Sequence, residues 1–243
     1  MQKNVLITGV LGGIGSALAK AFKESGYYVY GLDRREDYQG HSHRFIQFDI
    51  NQFVKDAEYR IRFSAIFDEY IPKLDVLINN AAVQLLDRTE DIKLDDWMET
   101  LNVNLTGPLL LSKFFLSRLE EREGCIINIA SIHHQLTKPG FVSYATSKSA
   151  LVGLTKALAV DLEGRVRVNA ISPAAIETDM LRAGFRGKEK ALKKLQKVHP
   201  VQRIGYPEEV ARLALFLASE NNGFIHGANI QLDGGISSVL KDV

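Results

Sequence analysis

Seven short apolar runs, separated by longer stretches whose apolar residues recur at helical spacing, set the fold of this 243-residue chain. The first run, residues 5–8, ends in a turn containing Gly9, Gly13 and Gly15, and a helix-forming stretch at 16–22 follows at once. The other runs fall at residues 27–33, 44–50, 74–82, 124–131, 165–173 and 229–235. Helical stretches lie at 51–70, at 95–118, from Tyr144 through Leu151 and beyond, and at 208–218. No repeat or low-complexity linker interrupts this order. Such alternation predicts an α/β fold: one parallel, doubly wound sheet of seven strands with helices on both faces. Crossovers in such a sheet are right-handed, and ligands bind at the strands' carboxyl ends. Gly15, Asp33, Asn80, Ser131 and Pro173 all fall at or just after those ends, so they are expected to line one crevice.

Composition removes several function classes. At 46% hydrophobic and 24% charged residues, the chain is ordinary globular material. A net charge of +1 supplies no basic field for nucleic acid. One cysteine, Cys125, excludes an intramolecular disulfide and a multi-cysteine zinc site, and no metal is expected. Cys125 sits in an apolar run and reads as core. The apolar run near the amino terminus is too short for a signal-peptide core, and no stretch approaches a membrane span. A single domain over residues 1–243 and a cytoplasmic location without membrane contact follow as expectations.

The glycine turn carries the first chemical signal. Glycine lets the backbone turn tightly and approach a ligand with no Cβ in the way. The helix that follows offers its first N–H groups and positive dipole end to a pyrophosphate. Asp33 ends the second run, placed to accept hydrogen bonds from an adenosine ribose and to repel a 2′-phosphate. Arg34 and Arg35 follow and would attract that phosphate; with the carboxylate taken as the larger effect, NAD is favoured over NADP. In the 95–118 stretch, Asn104 and the Gly107-Pro108 pair interrupt the helical pattern, a break the chain is expected to use.

The second signal is Tyr144 with Lys148. Four apart on a helix, they project from one face. A phenol titrating near about pH 10 becomes a usable acid or base when an ammonium nearby favours the phenolate. Ser131 ends the fifth run thirteen positions earlier, with His133 and His134 just beyond it.

Together these residues resemble the short-chain dehydrogenase/reductase family over nearly the whole chain. Thr8, Gly9, Gly13 and Gly15 match its cofactor turn. The segment from Asn79 to Ala82 matches its Asn-Asn-Ala-Gly, with Ala82 for the glycine. Asn104, Ser131, Tyr144 and Lys148 match its four catalytic residues. Pro173 and Ala174 match its Pro-Gly, again with alanine for glycine, and Thr178 matches the threonine at its nicotinamide carboxamide. The stretches 202–211 and 233–235 match its carboxyl-terminal pattern.

The resemblance implies a Rossmann-like fold and reversible oxidation of a secondary alcohol to a carbonyl, with NAD favoured and oxidation the working direction. Thr8, Gly9, Gly13, Ile14, Gly15, Asp33, Arg34, Asp49, Ile50, Asn80, Ala81, Ala82, Tyr144, Lys148, Pro173, Ala174, Ile176 and Thr178 would hold the cofactor. Ser131, Tyr144 and His133 would meet the substrate. Tyr144 would move the hydroxyl proton, Lys148 would lower its pKa, and Asn104 would support a water-linked path to Lys148. A loop or lid at residues 177–200, rich in basic residues between Arg182 and Lys197, would cover the substrate. The family's habit is a homo-oligomer, tetramer or dimer. An NADPH-dependent 3-oxoacyl-carrier-protein reductase is one alternative, and a non-catalytic dinucleotide sensor working through protein partners is another.

Overall fold

A computed structural model of the chain describes residues 2–37 and 40–240, so residues 1, 38–39 and 241–243 of the expected domain lie outside the described residues. Seven strands, β1 (Asn4–Thr8), β2 (Tyr28–Asp33), β3 (Arg44–Gln47), β4 (Val76–Asn79), β5 (Cys125–Ile129), β6 (Arg167–Pro173) and β7 (Asn229–Leu232), form one parallel sheet. Their order is β3-β2-β1-β4-β5-β6-β7. Between them run α1 (Gly13–Glu24), α2 (Ile50–Lys55), α3 (Ala57–Tyr70), α4 (Leu94–Leu101), α5 (Gly107–Glu120), α6 (Val142–Asp161), α7 (Asp179–Gly184), α8 (Glu189–Lys197) and α9 (Pro207–Ala218).

Strand side chains alternate between the two faces of a sheet, and here both faces are covered. Val5, Ile7, Val76, Ile78 and Ile127 pack with Leu18 and Phe22 of α1 and Val210, Ala214 and Leu217 of α9. Leu6, Leu77, Ile126 and Val168 point the other way, onto Phe67 of α3, Leu111 and Phe115 of α5, and Leu162 just past α6. The inner strands therefore read as mostly apolar runs, the pattern that marked them in the sequence. Strand order reverses between β1 and β4, so the connections leaving these neighbours diverge and open a crevice at their carboxyl ends.

The structure departs from the sequence reading at four places. Pairing in the third run stops at Gln47, and Asp49 instead caps α2, accepting a hydrogen bond from Gln52 N at 3.1 Å. The helix expected over 51–70 is two helices, because Asp56 ends α2 and caps α3 by accepting from Glu58 N and Tyr59 N. The seventh strand ends at Leu232; Asp233 then folds back to hold Gly235 N and Ser237 N in a turn with φ of +60° at Gly234 and +85° at Gly235.

The fourth departure bears on the site. The interruption in 95–118 does not break the helix but widens it, as a π-helical turn at Asn102–Thr106 between α4 and α5. Pro108 has no N–H for the carbonyl four residues back, that of Asn104, and its ring would crowd that carbonyl in a regular α-helix. One wider turn relieves the conflict. Gly107 lets α2 lie close: a Cβ there would sit 2.2 Å from Ile50 Cγ2. Among the described residues no helix is long and apolar enough to cross a membrane, and no group of three or more His, Cys, Asp or Glu side chains could hold a metal ion.

Candidate active site

The crevice is a cleft of about 420 Å³ along the carboxyl ends of β1, β2 and β4. Its floor is the glycine turn. Gly9 takes φ of +65°, and a Cβ there would strike Ala81 Cα at 2.8 Å, so the loops after β1 and β4 touch through bare backbone. Thr8 and Asn80 lock that contact. The Thr8 hydroxyl accepts from Asn80 N and Ala81 N at 2.9 and 3.0 Å, while Asn80 Nδ2 donates to the carbonyls of Thr8 and Gly9. Gly15 permits the turn to close, since a Cβ would lie 2.0 Å from the Gly9 carbonyl oxygen. Helix α1 starts at Gly12 with no side chain capping its first N–H groups, which leaves a dipole end suited to phosphate. Asp33 stands on the β2 side with its carboxylate in the cleft wall. Bare backbone, an uncapped helix start and a carboxylate at the far wall fit a dinucleotide.

Where Ile129 and Lys148 meet the cleft, the catalytic candidates converge. Lys148 is buried, and its Nζ donates to the Ile129 carbonyl at 2.8 Å. Burial pushes this amine down to about 7. The Tyr144 and Ser131 hydroxyls are hydrogen-bonded to each other. Burial raises the Tyr144 pKa, and the bond to Ser131 offsets part of the rise. Lys148 Nζ lies 5.7 Å from the centroid of the Tyr144 ring. Asn104, fully buried in the π turn, accepts from Val83 N at 2.9 Å and donates through Nδ2 to the Val83 carbonyl and the Ser147 hydroxyl, each at 3.0 Å. It fastens the loop after β4 to α6 one residue before Lys148.

His133 stacks on Phe141, with centroids 4.4 Å apart and planes 9° apart, and meets Tyr144 edge-on at 5.6 Å. Burial, with Lys138 nearby, pushes its imidazole down to about 4, so it is uncharged at neutrality. His134 turns away: its Nε2 lies 2.9 Å from Asn229 Nδ2, and Asn229 Oδ1 accepts from Ser172.

Of the expected cofactor residues, Gly9, Gly13, Ile14, Gly15, Asp33, Arg34, Asp49, Ile50, Asn80, Ala81, Ala82, Lys148 and Thr178 line the cleft. Thr8 lies behind it as a brace, and Tyr144, Pro173, Ala174 and Ile176 stand outside its walls. Ala174 N donates to the Leu232 carbonyl, and Ile176 is buried beside Gly205. Thr178 caps α7 by accepting from Leu181 N and touches the space a Gly13 side chain would need. The sequence reading named Arg35 beside Arg34 as a phosphate attractor, and it missed Leu11, Phe48, Val103 and Glu99 among the lining residues. Glu99 had a signal: it stands four residues before Val103 and five before Asn104 on a helix whose later turn was already implicated.

A family model described as enoyl-(acyl carrier protein) reductase matches residues 9–237. The chain is 34% identical over 241 residues to an NAD-dependent glycerol dehydrogenase of Listeria innocua, covering 96% of this chain and 93% of that one. It is 34% identical over 246 residues to a D-threitol dehydrogenase of Mycolicibacterium smegmatis, covering 96% and 92%. The ligand-free aldohexose dehydrogenase of Thermoplasma acidophilum superposes with a TM-score of 0.90 at 31% identity, over 100% of this chain and 96% of that one.

Proposed function

This chain belongs to the short-chain dehydrogenase/reductase family of NAD(P)-dependent oxidoreductases, and from that premise we propose that it oxidises a neutral polyol to the matching carbonyl compound with NAD. The observation that carries this reading is the convergence of Ser131, Tyr144 and Lys148 beside a dinucleotide-shaped cleft. NAD supplies the hydride acceptor when bound. Ser131 steadies the substrate oxygen. Tyr144 takes the hydroxyl proton as its phenolate, a form that burial makes scarcer and rising pH restores, and Lys148, pushed to about 7, holds or releases a proton at the working pH. Asn104 keeps the β4 loop and α6 in register, and Pro108 removes the donor an α-helix would aim at its carbonyl.

Neutrality of the substrate is supported by the uncharged His133 and by α8, whose lysines are exposed to solvent, while Arg182 pairs with Glu177. Glycerol, threitol and aldohexoses, named for the relatives, are polyhydroxy compounds. Asp33 supports NAD over NADP. Helices α7 and α8 are assigned as the substrate lid. Exposed Met98, Leu109, Val142 and Val160 on α4, α5 and α6 support a homo-oligomer, dimer or tetramer, and a cytoplasmic setting is expected.

The test is NAD reduction with a panel of polyols, hydroxy acids, sugar phosphates and hydroxyacyl thioesters. The expected result is turnover with polyols that Tyr144→Phe abolishes while NAD binding persists. Activity confined to NADPH and acyl thioesters would replace this reading with the carrier-protein reductase. Cofactor binding unaccompanied by any turnover, and unchanged in Tyr144→Phe, would favour the sensor.

A further inference from the structure

We propose that Glu99 is a second determinant of cofactor choice, acting through Arg34 at the adenosine end of the cleft. The inference rests on the dinucleotide reading above. Asp33, Arg34, Arg35 and Glu99 all line the cleft, and they are paired crosswise. Asp33 is only 8% exposed, and both of its carboxylate oxygens are committed. Oδ2 accepts from Leu11 N at 3.1 Å; Oδ1 accepts from Arg35 N at 3.1 Å and Arg35 Nε at 3.3 Å. Arg35 therefore offsets the Asp33 charge from the same strand end.

Arg34 reaches the other way, to α4. Its guanidinium lies 3.9 Å from the Glu99 carboxylate, and Glu99 is the less exposed partner. Glu99 stands one turn before Val103, which also lines the cleft, so it faces the adenosine end from the helix side. The two guanidinium groups are thus each matched by a carboxylate, and Asp49 adds a third carboxylate to the cleft wall.

The consequence differs between the two cofactors. A ribose with free hydroxyls brings no charge. A 2′-phosphate brings about two negative charges and needs a guanidinium able to form paired hydrogen bonds with it. Glu99 opposes it doubly, by repulsion and by holding Arg34. A neutral side chain of the same shape would remove one negative charge and leave Arg34 free to turn toward the phosphate. The discrimination expected from a partly exposed pair is modest, about three- to tenfold in the NADP-to-NAD affinity ratio.

The experiment is calorimetric titration of NAD and NADP into the wild-type chain, Glu99→Gln, Arg34→Ala and the double variant, with melting temperature as the check on folding. The expected result is a three- to tenfold shift of the ratio toward NADP in Glu99→Gln, erased when Arg34→Ala is added. A ratio insensitive to Glu99→Gln, or a gain that survives in the double variant, overturns the proposal. Binding requires no turnover, so the two readings fail separately. A wild-type chain that binds neither nucleotide refutes the dinucleotide reading, whereas one that binds both with a ratio indifferent to Glu99 refutes only this one.

Discussion

Replacing Lys148 by methionine should stabilise the protein at neutral and acidic pH while it removes activity. An ammonium normally titrates near 10.5, and burial brings Lys148 to about 7. Each tenfold change in proton affinity is about 1.4 kcal/mol, so burying the charged form costs at most about 5 kcal/mol below pH 7. Methionine fills the space without that cost but leaves the Ile129 carbonyl without its donor, a loss of about 1–3 kcal/mol. The net gain at pH 6 is about 2 kcal/mol, or about 4–8 °C in melting temperature for a chain of this size.

The pH dependence gives the sharper check. Between pH 7 and 10.5 the unfolded chain keeps a proton on this lysine that the folded chain has released. Rising pH therefore stabilises the wild type across that window, and the penalty is fully present below it. The variant lacks this slope, so the two stability curves should cross at about pH 9. Urea denaturation at pH 6, 7, 8, 9 and 10 reads this directly. A variant less stable than wild type at pH 6, or a difference that does not change with pH, would refute the assignment of Lys148 as a buried, strained amine.

Asn104→Ala would orphan the Val83 N–H and carbonyl and remove the donor to the Ser147 hydroxyl, which keeps its bond to the Tyr144 carbonyl; a loss of about 2–4 kcal/mol by denaturant titration is expected, with kcat falling more than KM rises. Gly15→Ala would place a methyl 2.0 Å from the Gly9 carbonyl oxygen, so calorimetry should detect no NAD binding and melting should fall sharply. Because burial raises the Tyr144 pKa, alcohol oxidation should quicken steadily from pH 6 to 10, and a flat kcat/KM profile would count against Tyr144 as the base.

The sheet was legible because a parallel strand covered on both faces is apolar at most positions, as in 125–129, where the one polar side chain, Asn128, is paired with Asn79 and Thr155. The grouping of Ser131, Tyr144 and Lys148 was legible because loop lengths and helical spacing bring them to one end of β5 and α6. Three things were hidden. Asp56 serves two helices at once, ending one and capping the next, which periodicity alone does not distinguish from a single long helix. The sign of the Tyr144 shift depends on how deeply the hydroxyl is enclosed, and the same four-residue spacing on an exposed helix would have made Lys148 the dominant influence. Likewise, which of Arg34 and Arg35 takes which carboxylate follows from side-chain direction beyond the strand end, where the alternation of the sheet no longer governs.

The π turn at Asn102–Thr106 also acts as a counting device. A turn closed five residues on rather than four holds one residue more than the same length of α-helix, and each residue advances a helix by about 100°. Deleting that one extra residue would restore a regular α-helix with both flanks in phase, whereas winding all the present residues regularly would spin everything on one side of the segment by roughly a third of a revolution. Leu111, Phe115 and Leu119, all now fully enclosed, would then swing toward solvent together, or Glu99 and Val103 would leave the cleft. The phase relation between the wall of the cleft and the packing of α5 therefore hangs on that one wide turn, and it would be lost if a residue were taken from either flanking helix instead.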